Sequence, residues 1–263
     1  MDLPVLSRPA FDEIVIGAQF VGEQELKSYV VGALRQMVIA DLPKVSEQSP
    51  VPPIFESFGL ISQPAFSFQQ FSAPPMPRYW FESESGNDLL QLQSDKIYRN
   101  WRRRKPADSY PGFEIVFASF KKDIENLSRV FDQEKLGSIS FNQCEMTYVN
   151  IVIPADDKGL PIEALTDLWT GWYGDDFAYE DAYLNFRRII SRNDEPIGRV
   201  HVQFAPILSL DGKPGIKFEI TSRGRPAGTD APAVFDFLRE QHDIIRQAYE
   251  SVVKASVRSA WND

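Results

Sequence analysis

Apolar residues recur every three or four positions in three parts of the chain, a spacing typical of amphipathic helices. The first part follows Gly22, the second begins near Tyr110, and the third begins at Asp230 and runs to about residue 259. Asp230 suits the N-cap position, and Pro232 suits a first helical turn. The apolar positions are Leu26, Tyr29, Val30, Ala33, Leu34 and Met37, then Phe113, Phe117, Phe120, Ile124, Leu127 and Phe131, then Phe235, Leu238, Ile245, Ala248, Tyr249 and Val252. We therefore predict an early helix, a long central helix and a long C-terminal helix.

The segments between these helices have the alternating or β-branched and aromatic character of strands. The Ser-Gly-Asn sequence at 85–87 predicts a hairpin turn, after which Leu90 and Leu92 face one way and Gln91 and Gln93 the other. A short helix is predicted within 161–172. The predicted strands cover residues 11–20, 78–84, 88–94, 97–103, 139–154, 182–190, 199–208 and 216–223, with a further strand beginning at 66.

Two local features interrupt this pattern. Gly17, inside the first predicted strand, indicates a bulge or a point of close packing. Residues 41–65 contain five prolines and no clear period, so we predict a long irregular connection there. A segment this rich in proline can become ordered on binding, which makes it a second candidate contact surface.

The order of elements predicts an α+β fold of two similar halves, residues 1–136 and 137–263. Each half is expected to be an antiparallel sheet packed by a long helix, because the strands alternate and do not form continuous apolar runs. Short echoes, such as Lys-Asp-Ile at 122–124 and His-Asp-Ile at 242–244, point to an internal duplication.

Charge and composition narrow the class of protein. Acidic residues outnumber basic ones by 37 to 28, a net charge of −9, whereas proteins that bind duplex nucleic acid usually carry a basic surface. The sequence contains no run of about 18 apolar residues, so no membrane helix is predicted. The first residues lack the pattern of a signal peptide. The single cysteine, Cys144, excludes an internal disulfide framework. We therefore expect a cytoplasmic protein.

Sequence motifs for catalysis are missing. The sequence has no P-loop, no dinucleotide fingerprint and no serine-hydrolase elbow. His201 is expected to face solvent or a groove from a strand, and His242 to be a hydrogen-bonded structural residue. Cys144 has no neighbouring cation and is expected to be an inert buried thiol. The acids between 156 and 181 fit exposed loops better than a metal site, so we expect no catalytic residue, metal or cofactor.

Residues 79–105 form the most unusual stretch, because amides, a carboxylate, guanidinium groups and aromatic rings coincide there. Such a strand face can orient a polar ligand or form a protein-binding surface, where Trp, Tyr and Arg are common anchors. The alternative interpretation places the tryptophans in the core and the glutamines on an exposed sheet face. The candidate binding residues are Trp80, Gln91, Gln93, Asp95, Asn100, Trp101, Arg102 and Arg103.

Several motifs together resemble one bacterial family of about this length. They are a Glu-x-x-x-Gly-x-x-Phe opening at 13–20, Trp-Phe at 80–81, Leu-Leu-Gln-Leu-Gln-x-Asp at 89–95, Asn-Trp-Arg at 100–102 and Tyr-Pro at 110–111. The family is sporadically distributed and of unknown function, and the resemblance covers nearly the whole chain. It provides no catalytic residues. A patchy distribution implies horizontal transfer, which is common for defence and toxin–antitoxin genes.

Three functions follow as hypotheses. The first is a non-enzymatic interaction protein, a component of a bacterial defence or toxin–antitoxin type module, whose acidic surface suits a basic or nucleic-acid-associated protein partner. The second is a small-ligand-binding protein or enzyme with a polar pocket around Gln91, Gln93, Asp95 and Arg102. The third is single-stranded nucleic-acid binding through the basic run at 99–105 with aromatic stacking. Net charge argues against the third, and we interpret the run as a strand end that balances nearby acids.

Overall fold

The computed structural model describes residues 11–22, 26–58, 76–154, 162–169, 181–209 and 211–262. The strands are β1 (Glu13–Gly22), β2 (Lys44–Gln48), β3 (Arg78–Glu82), β4 (Asp88–Gln93), β5 (Lys96–Arg102), β6 (Ile139–Val152), β7 (Leu184–Arg192), β8 (Glu195–Leu208) and β9 (Pro214–Gly224). The helices are α1 (Ser28–Val38), α2 (Phe113–Gln133), α3 (Ala231–Val252) and α4 (Ala255–Asn262). All nine strands form one sheet in the order β2-β3-β4-β5-β1-β6-β9-β8-β7, with every neighbouring pair antiparallel.

Alternation along the strands gives the sheet two different faces. Ile14, Ile16 and Phe20 of β1 are buried on the face that the helices cover, which we call the helix face. α2 and α3 lie side by side there, since the rings of Phe113 and His242 stack at 3.9 Å. The opposite face carries mainly polar side chains, and we call it the polar face.

Three local features predicted from the sequence are confirmed: a helix cap, a turn and a point of close packing. Asp230 caps α3 by accepting a hydrogen bond from the Ala233 N–H at 3.0 Å. Gly86 has a φ of 77° in the turn between β3 and β4, where a glycine is favoured. Gly17 is a point of close packing, because a Cβ there would lie 1.8 Å from the ring of Tyr98.

Some elements differ from the prediction. Residues 41–65 are not wholly irregular, because Lys44–Gln48 forms β2 and pairs with β3. The C-terminal helix does not continue unbroken, since Val253 has extended backbone angles (φ −94°, ψ 130°) and α4 begins after it. Of the helix predicted within 161–172, the described residues contain the 3-10 turn Ile162–Ala164. The strand predicted to begin at 66 lies outside the described residues.

The antiparallel α+β class is confirmed, but the two halves share one sheet. β1 pairs with β6, and this pairing joins the halves at the middle of the sheet. From this centre outward the strand order is β1-β5-β4-β3 on one side and β6-β9-β8-β7 on the other. In the first half α2 follows β5, which pairs with β1. In the second half α3 follows β9, which pairs with β6.

Candidate functional site

The polar face of the sheet holds many polar side chains that are nevertheless buried. Burying a polar group costs free energy unless a hydrogen bond compensates, so the partners of these groups show what this face holds. The buried polar residues on this face are Gln19, Gln91, Gln93, Lys96, Asn100, Gln143, Thr147, Arg199 and Thr221.

Residues 51–58, which we call the strap, cross the polar face from β4 and β5 towards β8. Gln93 accepts a hydrogen bond from the Val51 N–H at 2.8 Å and donates one to the Val51 carbonyl at 2.9 Å. Gln19 binds Ile54 in the same way, at 3.2 Å to the N–H and 2.7 Å to the carbonyl. Two side-chain amides thus each bind both main-chain groups of one strap residue.

Lys96 adds a charged contact beneath the start of the strap. Its side chain is almost fully buried, and Nζ donates to the carbonyls of Val51 and Pro52 at 3.1 and 2.9 Å. Burial lowers the pKa of Lys96, and the Asp95 carboxylate, 3.7 Å from Nζ, opposes that shift. The strap carbonyls therefore replace part of the hydration that this ammonium loses.

Glu56 anchors the other end of the strap to β8 and β9. Its carboxylate accepts hydrogen bonds from Arg199 at 2.5 Å, His201 at 2.7 Å and Arg223 at 3.3 Å. Arg199 also donates to the Ser57 carbonyl at 2.5 Å. Burial alone would raise the pKa of Glu56, but these hydrogen bonds and charges lower it from 4.5 to about 2. His201 faces a groove, as its strand position predicted, and the strap occupies that groove.

The strap adds little to the hydrophobic core. Ile54 is 51% exposed and Phe55 is 54% exposed. A cavity of about 320 Å³ remains beside the strap, lined in part by Phe55, Phe58 and Gln143. The Nε2 of Gln143 is buried and makes no hydrogen bond within the described part of the chain. Polar contacts rather than apolar burial therefore hold the strap in place.

Trp80 lies at the other side of the polar face, between two guanidinium groups. The guanidinium carbons of Arg78 and Arg102 lie 5.4 and 5.2 Å from its ring, within cation–π distance. Gln91 Oε1 accepts hydrogen bonds from the Trp80 indole and from Arg78, each at 3.0 Å. We call Arg78, Trp80 and Arg102 the tryptophan patch.

A hydrogen-bond network continues from the tryptophan patch towards β1. Gln91 donates to Asn100 at 2.7 Å, and Asn100 donates to the Glu13 carboxylate at 2.6 Å. Arg102 donates to Glu82 at 2.5 Å. The structure therefore brings together Trp80, Gln91, Asn100 and Arg102, while Gln93 lies on the same face beneath the strap.

Trp101 does not belong to this surface. It lies on the helix face, is 4% exposed, and packs with its ring 5.5 Å from that of Tyr110. Asn100 and Arg102 point to the polar face, so the candidate binding residues on β5 lie on two different faces of the sheet. A buried Trp101 is not available to stack on a nucleic-acid base.

The basic run at 99–105 is balanced by acids from other elements. This matches the interpretation of the run as a strand end that neutralises nearby carboxylates, and it leaves few free cations for phosphate groups. The ion pairs are Arg99–Asp123, Arg102–Glu82, Arg103–Asp12 and Arg104–Glu82, with closest N–O distances of 2.7, 2.5, 3.8 and 3.4 Å.

A polar pocket was expected around Gln91, Gln93, Asp95 and Arg102. None of the main cavities formed by the described residues is lined by these side chains. Cavities of about 370, 730 and 320 Å³ are lined by other side chains. Gln91 and Arg102 are hydrogen-bonded as described above, and Gln93 donates to the Asp95 carboxylate at 3.0 Å as well as to the strap. The strap and side-chain neighbours thus occupy the polar groups that a ligand would need.

Two further residues have the surroundings that their sequence positions predicted. His242 Nδ1 lies 3.0 Å from the Tyr148 hydroxyl, within hydrogen-bond distance. Cys144 is buried, and this burial raises the pKa of its thiol. The described residues contain no group of three or more His, Cys, Asp or Glu side chains arranged to hold a metal ion. The acids at 156–157 and 175–176 lie outside the described residues.

Comparison of the chain with protein-family models, with characterised proteins and with solved structures gives no match. None of the helices within the described ranges combines the length and the apolar character needed to cross a membrane.

Proposed function

We propose that the protein is a non-enzymatic interaction protein that binds an extended polypeptide segment on the polar face of its sheet. The observation that carries the proposal is the pair of amide contacts, Gln19 to Ile54 and Gln93 to Val51. A side-chain amide that satisfies both main-chain groups of a residue recognises an extended backbone whatever its side chain is. The strap is then the intramolecular occupant of a general peptide-binding face.

The strap has the properties of a replaceable occupant. Its apolar side chains at 54 and 55 are half exposed, so its release would expose little additional apolar surface. Segments with few buried apolar contacts open more readily than the strands and helices of a core. The cavity beside the strap and the unpaired Nε2 of Gln143 leave room and a donor for a partner segment that fits more fully.

The polar face also favours one type of partner side chain. With the strap displaced, Arg199, His201 and Arg223 would face an incoming segment without the carboxylate of Glu56. A partner segment with an acidic side chain at the corresponding position would replace that carboxylate. The net charge of −9 favours a partner whose remaining surface is basic, such as a nucleic-acid-associated protein.

The test asks whether a separate peptide with the strap sequence binds the polar face in competition with the strap of the chain. In the full-length chain, the double variant Glu56→Ala/Ile54→Pro removes the carboxylate and the Ile54 N–H donor. We expect a fluorescent peptide with the sequence of residues 49–58 to bind this variant at least about tenfold more tightly than it binds the unaltered protein, because the tethered strap no longer competes at high effective concentration. Fluorescence anisotropy measures both affinities.

Two comparisons make this result specific. A peptide with alanine in place of Glu56 is expected to bind the double variant about tenfold more weakly, since it loses charge-assisted hydrogen bonds. The variant Glu114→Ala removes an exposed carboxylate that pairs with Arg239, away from the strap, and is expected to leave peptide binding as in the unaltered protein. If hydrogen exchange shows the strap released in the double variant and no peptide binds, the proposal is wrong.

The cellular role in a bacterial defence or toxin–antitoxin type module, in the cytoplasm, is part of the same proposal and is supported by the family resemblance. Native mass spectrometry of protein purified from its own cells at moderate salt tests it. We expect a stoichiometric protein companion, whose binding the peptide of residues 49–58 reduces. Recovery of the 29.9 kDa chain alone, or of a simple multiple, would contradict a constitutive partner.

An internal duplication is proposed as the origin of the two halves. The matching strand orders β1-β5-β4-β3 and β6-β9-β8-β7, each followed by a long helix, support it. In an experimental structure we expect these strands and helices to superpose as one unit under a single rotation. Halves that need different rotations for the sheet and for the helix would contradict the duplication.

A further inference from the structure

A second candidate site lies on the helix face, separate from the strap. A cavity of about 370 Å³ opens between the start of α2 and the middle of α3, above β6. This volume is within the range of small-molecule sites, which are mostly apolar with a few placed polar groups. Neither the hydrophobic core nor the polypeptide-binding proposal requires an open space at this position.

The walls of the cavity are largely aromatic. Phe11 packs edge-on against Tyr110 and Tyr148, with ring centroids 5.3 and 4.9 Å apart. Phe113 stacks on His242 with an angle of 4° between the rings. Aromatic rings fixed by their neighbours in this way offer flat surfaces to a planar guest at little entropic cost.

Asn150 places an unused carboxamide in this apolar cavity. The residue lies on β6, lines the cavity and is only 3% exposed. Its carboxamide faces the cavity, and no hydrogen bond joins it to another side chain within the described part of the chain. The carboxamide is not among the fully enclosed polar atoms that lack a partner, so it is reached from the cavity and can hydrogen-bond a guest there.

The remaining polar groups of the cavity differ between its floor and its rim. On the floor, Tyr148 lies within hydrogen-bond distance of His242, and burial lowers the pKa of His242, which favours a neutral imidazole there. At the rim, Arg246, Glu250 and Arg258 line the cavity, and Arg246 also lies 4.0 Å from the Asp243 carboxylate. The Nε of Arg258 is buried and has no hydrogen-bond partner among the described residues.

We propose that this cavity binds a planar aromatic anion, with its ring between the aromatic walls, a hydrogen bond to Asn150, and its carboxylate or phosphate at Arg258 and Arg246. The aromatic floor takes the ring, and the guanidinium groups at the rim, Arg258 above all, take the charged group. Free aromatic carboxylates and nucleoside monophosphates share this chemistry, and the experiment distinguishes them.

The experiment titrates the full-length protein by calorimetry with a panel of aromatic carboxylates and nucleoside 5′-monophosphates. Each is paired with its neutral amide or nucleoside. We expect one of the two anion classes to bind, at least about tenfold more tightly than its neutral counterparts, because the anion gains charge-assisted hydrogen bonds at the rim. Arg258→Met is expected to remove most of that preference for the anion.

Asn150→Leu separates a binding role from a structural one. We expect it to weaken binding at least about tenfold and to leave the melting temperature of the free protein unchanged or higher, because leucine keeps a side chain of similar size in a largely aromatic wall and removes only the cavity-facing carboxamide. Gln203→Leu, the same kind of change at an exposed position on the polar face, is the matched control and should alter neither. The proposal is overturned if no anion binds at millimolar concentration, if Arg258→Met leaves affinity unchanged, or if Asn150→Leu lowers the melting temperature.

Discussion

Replacing Asp123 with alanine is expected to lower the free energy of unfolding by about 3–5 kcal/mol, as the loss of one partner of a buried ion pair does. Asp123 on α2 accepts two hydrogen bonds from Arg99 on β5, each at 2.7 Å, and both side chains are almost fully buried. Burial raises the pKa of Asp123, and the guanidinium opposes that shift. Without the carboxylate, Arg99 keeps its charge inside the protein with no compensating partner. Urea denaturation measures the loss.

Two controls test whether the expected loss of stability comes from leaving Arg99 unpaired inside the protein or simply from removing a carboxylate. Asp41 pairs with Lys122 at 2.8 Å on the surface, and Asp41→Ala is expected to cost at most about 1 kcal/mol. The double variant Arg99→Met/Asp123→Leu replaces the whole pair with apolar side chains and is expected to be close to neutral or stabilising. If Asp123→Ala costs no more than Asp41→Ala, the pair is not holding α2 to the sheet.

This ion pair also explains why the basic run was difficult to interpret from the sequence. In β5 alternate residues face opposite sides of the sheet, so Arg99 and Trp101 point to the helices while Asn100 and Arg102 point away. Residues 99–105 count as one basic cluster along the chain, but they belong to different surfaces in space. The alternation that correctly separated Leu90 from Gln91 on β4 also applies to β5, and it separates Trp101 from its neighbours.

The strap could not be predicted from the sequence for a different reason. Helices and hairpins repeat a local pattern, and these elements were predicted well. The contacts of Gln19 with Ile54 and of Glu56 with Arg199 join positions 35 and 143 residues apart, and nothing local marks them. Proline content identified 41–65 as unusual and as a candidate contact surface. It did not show that the polar face already holds part of that segment.

The position of the helix-face cavity was likewise not predictable. Tyr110, Tyr148 and His242 belong to a loop, a strand and a helix that meet because β1 pairs with β6. His242 alone on a helix indicates only a structural role. The candidate site in the sequence was therefore incomplete, since it included Trp80, Arg102 and Gln93 but not Arg78, Gln19, Glu56 or Asn150.

Acid is expected to weaken the attachment of the strap through Glu56. Because its pKa falls from 4.5 to about 2 on folding, its contribution is fully present above pH 4.5 and is lost as the pH falls through about 2. The groups facing Glu56 are Arg199 and His201 on β8 and Arg223 on β9, which also pairs with Glu145 on β6. A shift of this size corresponds to about 3 kcal/mol of unfolding free energy.

The comparison with Glu56→Gln isolates this contribution, because the other acidic groups titrate alike in both proteins. We expect the unaltered protein to lose about 3 kcal/mol more unfolding free energy than Glu56→Gln between pH 5 and pH 2. Arg199→Met is expected to raise the pKa of Glu56 towards its usual value, since a charged donor is lost while the burial remains. Carbon NMR of the Glu56 carboxyl follows that titration directly. A wild-type carboxyl that titrates near 4.5 would show that the cations on β8 and β9 do not hold the strap.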